Sequence, residues 1–319
     1  MRITIVGYFR GDASQNGERI AQALSRQGHN VQTLDFNTPD ISNQIIVHQS
    51  KIVLVTMGRE FDHTLLNPVK DNGAFLVQWI PDEYSPDDEG GKWFYKIKGI
   101  YNLLMVETRG IIQFLNGFAD DIIWIPQYFD QYYHSFTNKV NNNSKWDLGF
   151  LGGPNIAQSS KRVNFIQHLI KDGCDLMIAP GIPWQSTDIS PAYMKTPHML
   201  INGDMASFYA HTRIGLNFLN DKLPRYELAL SNRAFKTVGC GCFLLTQHVF
   251  GIEELLYPGV HCATYNGDDY DDLKWNIDYF LEHPDERVKI AAEGKAHVLK
   301  NFNIDKVVAG FIDEIKKRM

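Results

Sequence analysis

The stretch 134-HSFTNKVNNNSKWDLGFLGG-153 runs from a polar, asparagine-rich segment into an apolar strand and a Gly-Gly turn. Its first part has no spacing of apolar residues that would bury a helix or strand face, so it reads as a linker or exposed loop. Its second part reads as a strand feeding a tight turn, the way an α/β unit opens. The chain therefore starts a second time here. Upstream, RITIVGY (2–8), NVQTLDF (30–36), KIVLVTM (51–57), FLVQWIP (75–81), NLLMVET (102–108) and DIIWIPQ (121–127) are short β-branched and apolar runs separated by helical or loop material. Between the first two, 14-SQNGERIAQALSRQGH-29 spaces Ile20, Ala23 and Leu24 along one helix face. Downstream, DLMIAPG (175–181), RIGLNFL (213–219), GCFLLTQ (241–247) and HCATYN (261–266) alternate with helices expected near 160–172, 204–211 and 226–238. The expected fold is two doubly wound α/β domains in tandem. Residues 1–138 form the first, 146–302 the second, and 303–319 a last helix whose stripe Val307, Val308, Phe311, Ile315 packs back on the first.

Size and composition agree with two ordinary cores. The chain has 319 residues, 44% hydrophobic and 21% charged, with a net charge of −6 and no long like-charge blocks. That balance makes a nucleic-acid surface less expected, although a local basic groove remains compatible with it. Cys174, Cys240, Cys242 and Cys262 lack any CxxC or His-paired metal spacing and read as reduced core thiols. The opening 1-MRITIVGYFRG-11 reads as a strand and turn rather than a signal peptide, and no apolar run reaches the ~18 residues of a membrane helix. A cytoplasmic location is expected.

Doubly wound domains bind ligands at the carboxyl ends of their strands, so function is sought in the loops that follow them. The loop 7-GYFRGDASQNG-17 leads into a helix but does not spell GxGxxG, and a plain tight turn explains it equally. The loop 151-LGGPNIAQSSKR-162 combines Gly152 and Gly153 with Lys161 and Arg162 in the first turn of a helix. Basic side chains oppose the helix dipole there, a cost that a bound phosphate would offset. Arg225 and Arg233 lie eight residues apart and share a face if 226–238 is helical, although Asp221 and Glu227 offer them ordinary ion pairs. Finally, 251-GIEELL-256 reads as a helix start with Gly251 and Ile252 allowing close anion approach, and Glu253 and Glu254 in the first turn.

The runs 215-GLNFLND-221, 233-RAFKTVGCGCFLLTQHVFGIEELLYPG-259 and 278-DYFLEHPDERVKIAAEGKAHVLKNF-302 resemble the C-terminal half of the spore-maturation CgeB-like glycosyltransferases, of the GT-B superfamily. The likeness covers about residues 200–302, with 77-VQWIPDE-83 the only reminiscent run in the first domain. It implies a GT-B fold, with a nucleotide-diphosphate sugar as donor substrate rather than a bound cofactor. The donor site it implies includes Asn217, Arg225, Arg233, Lys236 and the 251–254 loop, with no metal required. In one place the chain departs from the family: Lys236 stands where a glutamate usually follows R-x-F, and a lysine cannot accept hydrogen bonds from ribose hydroxyls. Glu253 or Glu254 takes over that role, the donor is unusual, or the protein holds nucleotide or glycan without turnover.

Inverting transfer also needs a base on the acceptor side. Asp12, His63, Asp82 and Glu83 lie near predicted strand ends of the first domain, of which Asp12 and Asp82 are the candidates retained. The runs 87-DDE-89 and 268-DD-269 read as solvated loops rather than a metal pair. A dinucleotide oxidoreductase is disfavoured by the missing GxGxxG and acidic partner. The acceptor stays open among glycan, protein, small molecule and modified nucleobase.

Overall fold

The computed structural model describes residues 1–9, 16–81, 91–134, 144–154, 160–179, 184, 187–194, 203–219 and 226–319. The chain divides into two compact units, Met1–Gln127 with Ile304–Met319, and Tyr128–Asn303.

In the first unit, β1 (Arg2–Gly7), β2 (Asn30–Asp35), β3 (Ile52–Thr56), β4 (Phe75–Ile80), β5 (Leu103–Val106) and β6 (Asp121–Trp124) form one sheet in the order β2-β1-β3-β4-β5-β6. Every pairing is parallel. Helices α1 (Asn16–Arg26), α2 (Ile41–His48), α3 (Asn67–Asp71) and α4 (Phe94–Ile97) connect the strands. The inner strands are continuous apolar runs because both faces are covered: β3 and β5 are buried at every residue.

The second unit repeats the plan. Strands β7 (Trp146–Leu151), β8 (Leu176–Ala179), β9 (Thr212–Asn217), β10 (Phe243–Gln247) and β11 (Ala263–Tyr265) lie in the order β11-β10-β9-β7-β8, again all parallel. Helices α5 (Ser160–Lys171), α6 (Gly203–Ala210), α7 (Asn232–Gly239), α8 (Tyr270–Glu282) and α9 (Pro284–Asn301) cover it. The core on one side of this sheet joins Leu148, Phe150, Ile214, Phe243 and Leu245 to Ile166, Ile277 and Ile290.

Two expectations about boundaries need correction. The units divide between Gln127 and Tyr128, not within 138–146, because the chain is built into the second unit as soon as β6 is left behind. The Phe129 amide donates to the Phe302 carbonyl at 2.8 Å, Phe129 bridges Asn303, and Cys240 Sγ donates to the His134 carbonyl. Gly239 has no room for a Cβ, which would strike the Phe129 ring. The polar run at 135–143 lies outside the described residues. Likewise α7 begins only at Asn232, after Ser231 in extended conformation and Leu228 at φ 52°, so the expected helix over 226–238 loses its first half.

Helix α10 (Ile304–Lys316) belongs to the first unit, where it packs along α1. Val307, Val308, Phe311 and Ile315 are all buried, and the Phe311 ring lies 6.0 Å from that of Trp79 in β4. Arg26 pairs with Asp305 at 2.7 Å, and Gln27 donates to the Asp305 carbonyl at 2.8 Å. Among the described residues no helix is long and apolar enough to cross a membrane.

Candidate functional site

In the second sheet the strand order changes direction at β7, whose neighbours are β9 on one side and β8 on the other. The crevice at the carboxyl ends of β7 and β9 is therefore the place where the loops diverge and a ligand can enter. The residues closing these two strands are Leu151 with Gly152, and Asn217 with Phe218.

Arg233, in the first turn of α7, bridges them. Its Nε donates to the Leu151 carbonyl, and its Nη1 donates to Asn217 Oδ1 at 2.9 Å and to the Phe218 carbonyl at 3.1 Å. Arg162, from α5, reaches the same point from the other side: Nη1 donates to the Gly153 carbonyl at 2.9 Å and Nη2 to the Phe218 carbonyl at 3.0 Å. Both guanidinium groups lie over the Phe150 ring, at 4.7 Å for Arg233 and 5.4 Å for Arg162. A cation over an aromatic face contributes ~1–2 kcal/mol when partly desolvated. Two like charges are thus held side by side by carbonyl dipoles and one ring.

The glycines make that approach possible. Gly152 has φ 152°, and a Cβ built there would stand 2.7 Å from Arg233 Nη2, so any side chain would push the guanidinium away. The turn is fixed by Gly152 N donating to the Ala179 carbonyl at 2.9 Å and by Trp184 Nε1 donating to the Gly152 carbonyl at 3.0 Å. Asn217 is fully buried and its amide is used within the protein: Oδ1 also accepts from Ser231 Oγ at 2.8 Å, and Nδ2 donates to Thr246 Oγ1 at 2.9 Å. It orients Arg233 rather than facing a ligand. Tyr265, closing β11, is buried; burial raises its hydroxyl, and the nearby charges of Arg162 and Arg233 pull it the other way. Beside it, at the carboxyl ends of β10 and β11, opens a cavity of about 390 Å³ lined by Gln247, His248, Thr264, Asn266 and Asp268.

The remaining expected residues fall in varied places. Lys161 is paired with Asp268 across the rim, both exposed. Lys236 lies one helical turn beyond Arg233 in α7, half-buried. The run 251–254 is not an α-helix start but a three-residue 3-10 turn, Ile252–Glu254, entered through Gly251 at φ 82°. The Glu254 amide donates to the Gly251 carbonyl at 3.0 Å and the Ile252 amide to the Val249 carbonyl at 3.2 Å. An anion-ready helix terminus is therefore absent there: the turn is too short for a dipole and those amides are engaged. Ile252 is fully buried, whereas Glu253 and Glu254 are exposed, with Glu253 Oε1 3.8 Å from His248 Nε2. Asp12, Asp82 and Arg225 lie outside the described residues. The shared-face argument for Arg225 and Arg233 fails in any case, since α7 starts at Asn232.

His63 is not available as a base. A carbonyl can only accept, so the Nε2 2.8 Å from the Gly58 carbonyl carries the proton, and Nδ1 accepts from the Tyr101 hydroxyl at 2.5 Å. Burial lowers its pKa to about 4, against gains from the Gly58 carbonyl and Asp62. Sequence reasoning missed Phe150, Ser231 and Tyr265. Ser231 alone carried a signal, a helix-capping residue type directly before Asn232; Phe150 and Tyr265 look like any apolar strand residues.

Residues 162–313 match the model of the glycosyl transferase-like family. No characterised protein matches the chain by sequence alone. Among solved structures the chain is similar to sucrose-phosphate synthase from Thermosynechococcus elongatus, with a TM-score of 0.72 and 10% identity over 99% of each chain. It is also similar to HepE from Anabaena in complex with UDP, with a TM-score of 0.71 and 11% identity over 99% of this chain and 100% of that one. A glycosyltransferase from Rickettsia africae gives 0.69 and 12%, over 99% and 98%. The two Rossmann-like units with their C-terminal helices are the fold of the GT-B glycosyltransferases.

Proposed function

We propose that the protein is a glycosyltransferase that moves a sugar, in our reading a hexose, from a nucleotide-diphosphate donor to an acceptor. The observation that carries this reading is the pair Arg162 and Arg233, held together at the switch point of the second sheet. Departure of a diphosphate needs positive charge fixed in advance where negative charge accumulates, and preorganised guanidinium groups supply it without a metal. The family match over residues 162–313 and a structural relative in complex with UDP support a nucleotide donor. The pattern from Arg233 to Gly259 supports a CgeB-like subtype.

In this scheme Arg233 and Arg162 meet the diphosphate, Gly152 lets the Arg233 guanidinium lie against the turn, and the cavity beside Tyr265 takes another part of the donor. Glu253 or Glu254, exposed on their turn, accepts from the ribose hydroxyls in place of the missing carboxylate at Lys236. Asp12 and Asp82 remain the proposed acceptor-side bases. Four free cysteines support a reducing, cytoplasmic setting. Lys236 itself favours a second reading, a protein that holds nucleotide or glycan without turnover.

Calorimetry with UDP, GDP and TDP tests the donor: one of them binds saturably, and binding of none would end the proposal. Turnover of the corresponding sugar nucleotide then separates transferase from binder. Asp12→Asn and Asp82→Asn are the variants that assign the base: the true one abolishes turnover and leaves donor affinity intact.

A further inference from the structure

The second unit contains a larger cavity, about 630 Å³, at the opposite edge of its sheet. Its walls are the first residues of β9 and β10 (Thr212, Arg213, Phe243), the preceding turn at Gly241 and Cys242, and the first turns of α9. Because all strands run parallel, this edge is separated from the carboxyl ends by the length of β9, roughly 17 Å at ~3.3 Å per residue. The cavity is therefore distinct from the candidate donor site.

Arg287 of α9 stands in it. The residue is 9% exposed. Its Nη1 donates to the carbonyls of Phe280 and Leu281, the open end of α8. Nε and Nη2 have no hydrogen-bond partner among the described residues, and no carboxylate lies within ion-pair distance there. Arg213 nearby adds positive charge, which Asp147, paired with it at 2.6 Å, offsets in part. Burying a cation with no carboxylate in direct contact is costly, and the carbonyls of a helix end supply only partial negative charge. The first turn of α9 lines the same space with Pro284 and Asp285 and has no side-chain cap. Pro284 has no amide hydrogen and the Arg287 amide donates to the His283 carbonyl, which leaves the Asp285 and Glu286 amides as the donors of that turn without a partner among the described residues. Asp285 lines the wall as well, a group suited to accept from hydroxyls.

We propose that this cavity binds a small phosphate monoester with a hydroxyl-bearing body, its phosphate on Arg287 and the amides of Asp285 and Glu286 and its hydroxyls toward the Asp285 carboxylate. The size decides for a body as well as a phosphate, since 630 Å³ lies in the range of whole small-molecule sites and far exceeds one anion. Glucose 6-phosphate is the probe, titrated calorimetrically into the full chain, with inorganic phosphate and glucose as controls. The expected result is saturable binding of glucose 6-phosphate, roughly tenfold or more weaker binding of inorganic phosphate, and none of glucose. Arg287→Gln keeps a donor for the Phe280 carbonyl and should weaken binding by about tenfold or more. Should that variant unfold, Val288→Trp serves instead: Val288 is 42% exposed on α9, so the new ring closes the cavity mouth without entering the core. It should abolish binding at an unchanged unfolding temperature. Absence of saturable binding, equal affinity for inorganic phosphate, full binding in Val288→Trp, or displacement by UDP would each overturn the proposal.

Discussion

At the carboxyl edge of the second sheet two guanidinium groups share one phenylalanine ring and one backbone carbonyl. At the corresponding edge of the first sheet the strands lead instead into Tyr8, Phe36 and Phe61, whose rings meet in sequence at 4.9 and 5.1 Å and continue to His63. Both sheets place their first strand between the second and third, so the two edges are topologically equivalent. What differs is the arrangement of charge. The first edge is lined by aromatic rings, its histidine is held neutral by burial, and its described charges, Arg59 after β3 and the buried Glu107 after β5, are of opposite sign; the second sets two arginines over one ring. One topology thus offers two chemistries, which is how we assign the anionic donor to the second unit.

The comparison can be broken at its base by unfolding one unit without the other. Phe311→Ala, in the helix that returns to the first unit, should cost about 3–5 kcal/mol, the range for truncating a buried phenylalanine. Hydrogen exchange should then rise in β1, β3 and β4 and stay unchanged in β7 and β9. A rise confined to the second unit would show that α10 does not stabilise the first.

Acid should separate the two edges next. His63 titrates near 4 when folded and near 6.5 when unfolded, so the unfolded state binds the extra proton between those values. Its contribution is complete above about pH 6.5 and is lost as pH falls toward 4, up to ~3 kcal/mol in all. Denaturant titrations of the wild type and His63→Gln check this: the variant should lose most of the pH dependence across that window.

A smaller effect tests the cations. Arg233→Lys keeps the charge but loses the planar fork that spans Leu151, Asn217 and Phe218. Nucleotide-diphosphate affinity should fall by about 1.5–3 kcal/mol, roughly ten- to hundredfold, with a lesser loss of stability. Arg233→Ala should reduce both, since the side chain also ties β7 to β9. At the small end, a chelator should leave turnover unchanged, because the charge on the leaving group is met by guanidinium groups; a requirement for added divalent cation would contradict this.

The succession of strands was legible because buried parallel strands are continuous apolar runs: of the eleven strands among the described residues, ten lie within a run read from the sequence and β9 begins one residue ahead of its run. The tail helix was legible for the same reason, its stripe at spacings of three and four being complete. The site was less so. Arg162 and Arg233 could be named, but not their meeting, which depends on Gly152 and on carbonyls that no side-chain pattern reveals. The run at 251–254 misled because Glu-Glu after glycine is equally the signature of a helix start and of a short 3-10 turn. The linker misled because polarity marks exposure, whereas the division between units is set by Phe129 packing under Gly239.

The assignment of the donor to the second unit is tested most directly by hydrogen exchange of the full chain with and without saturating UDP. The account predicts added protection in residues 148–153, 214–219 and 231–239, around Arg162 and Arg233, and none in 3–9 or 52–58. Protection confined to the ends of β1 and β3 would place the nucleotide on the aromatic edge and contradict it.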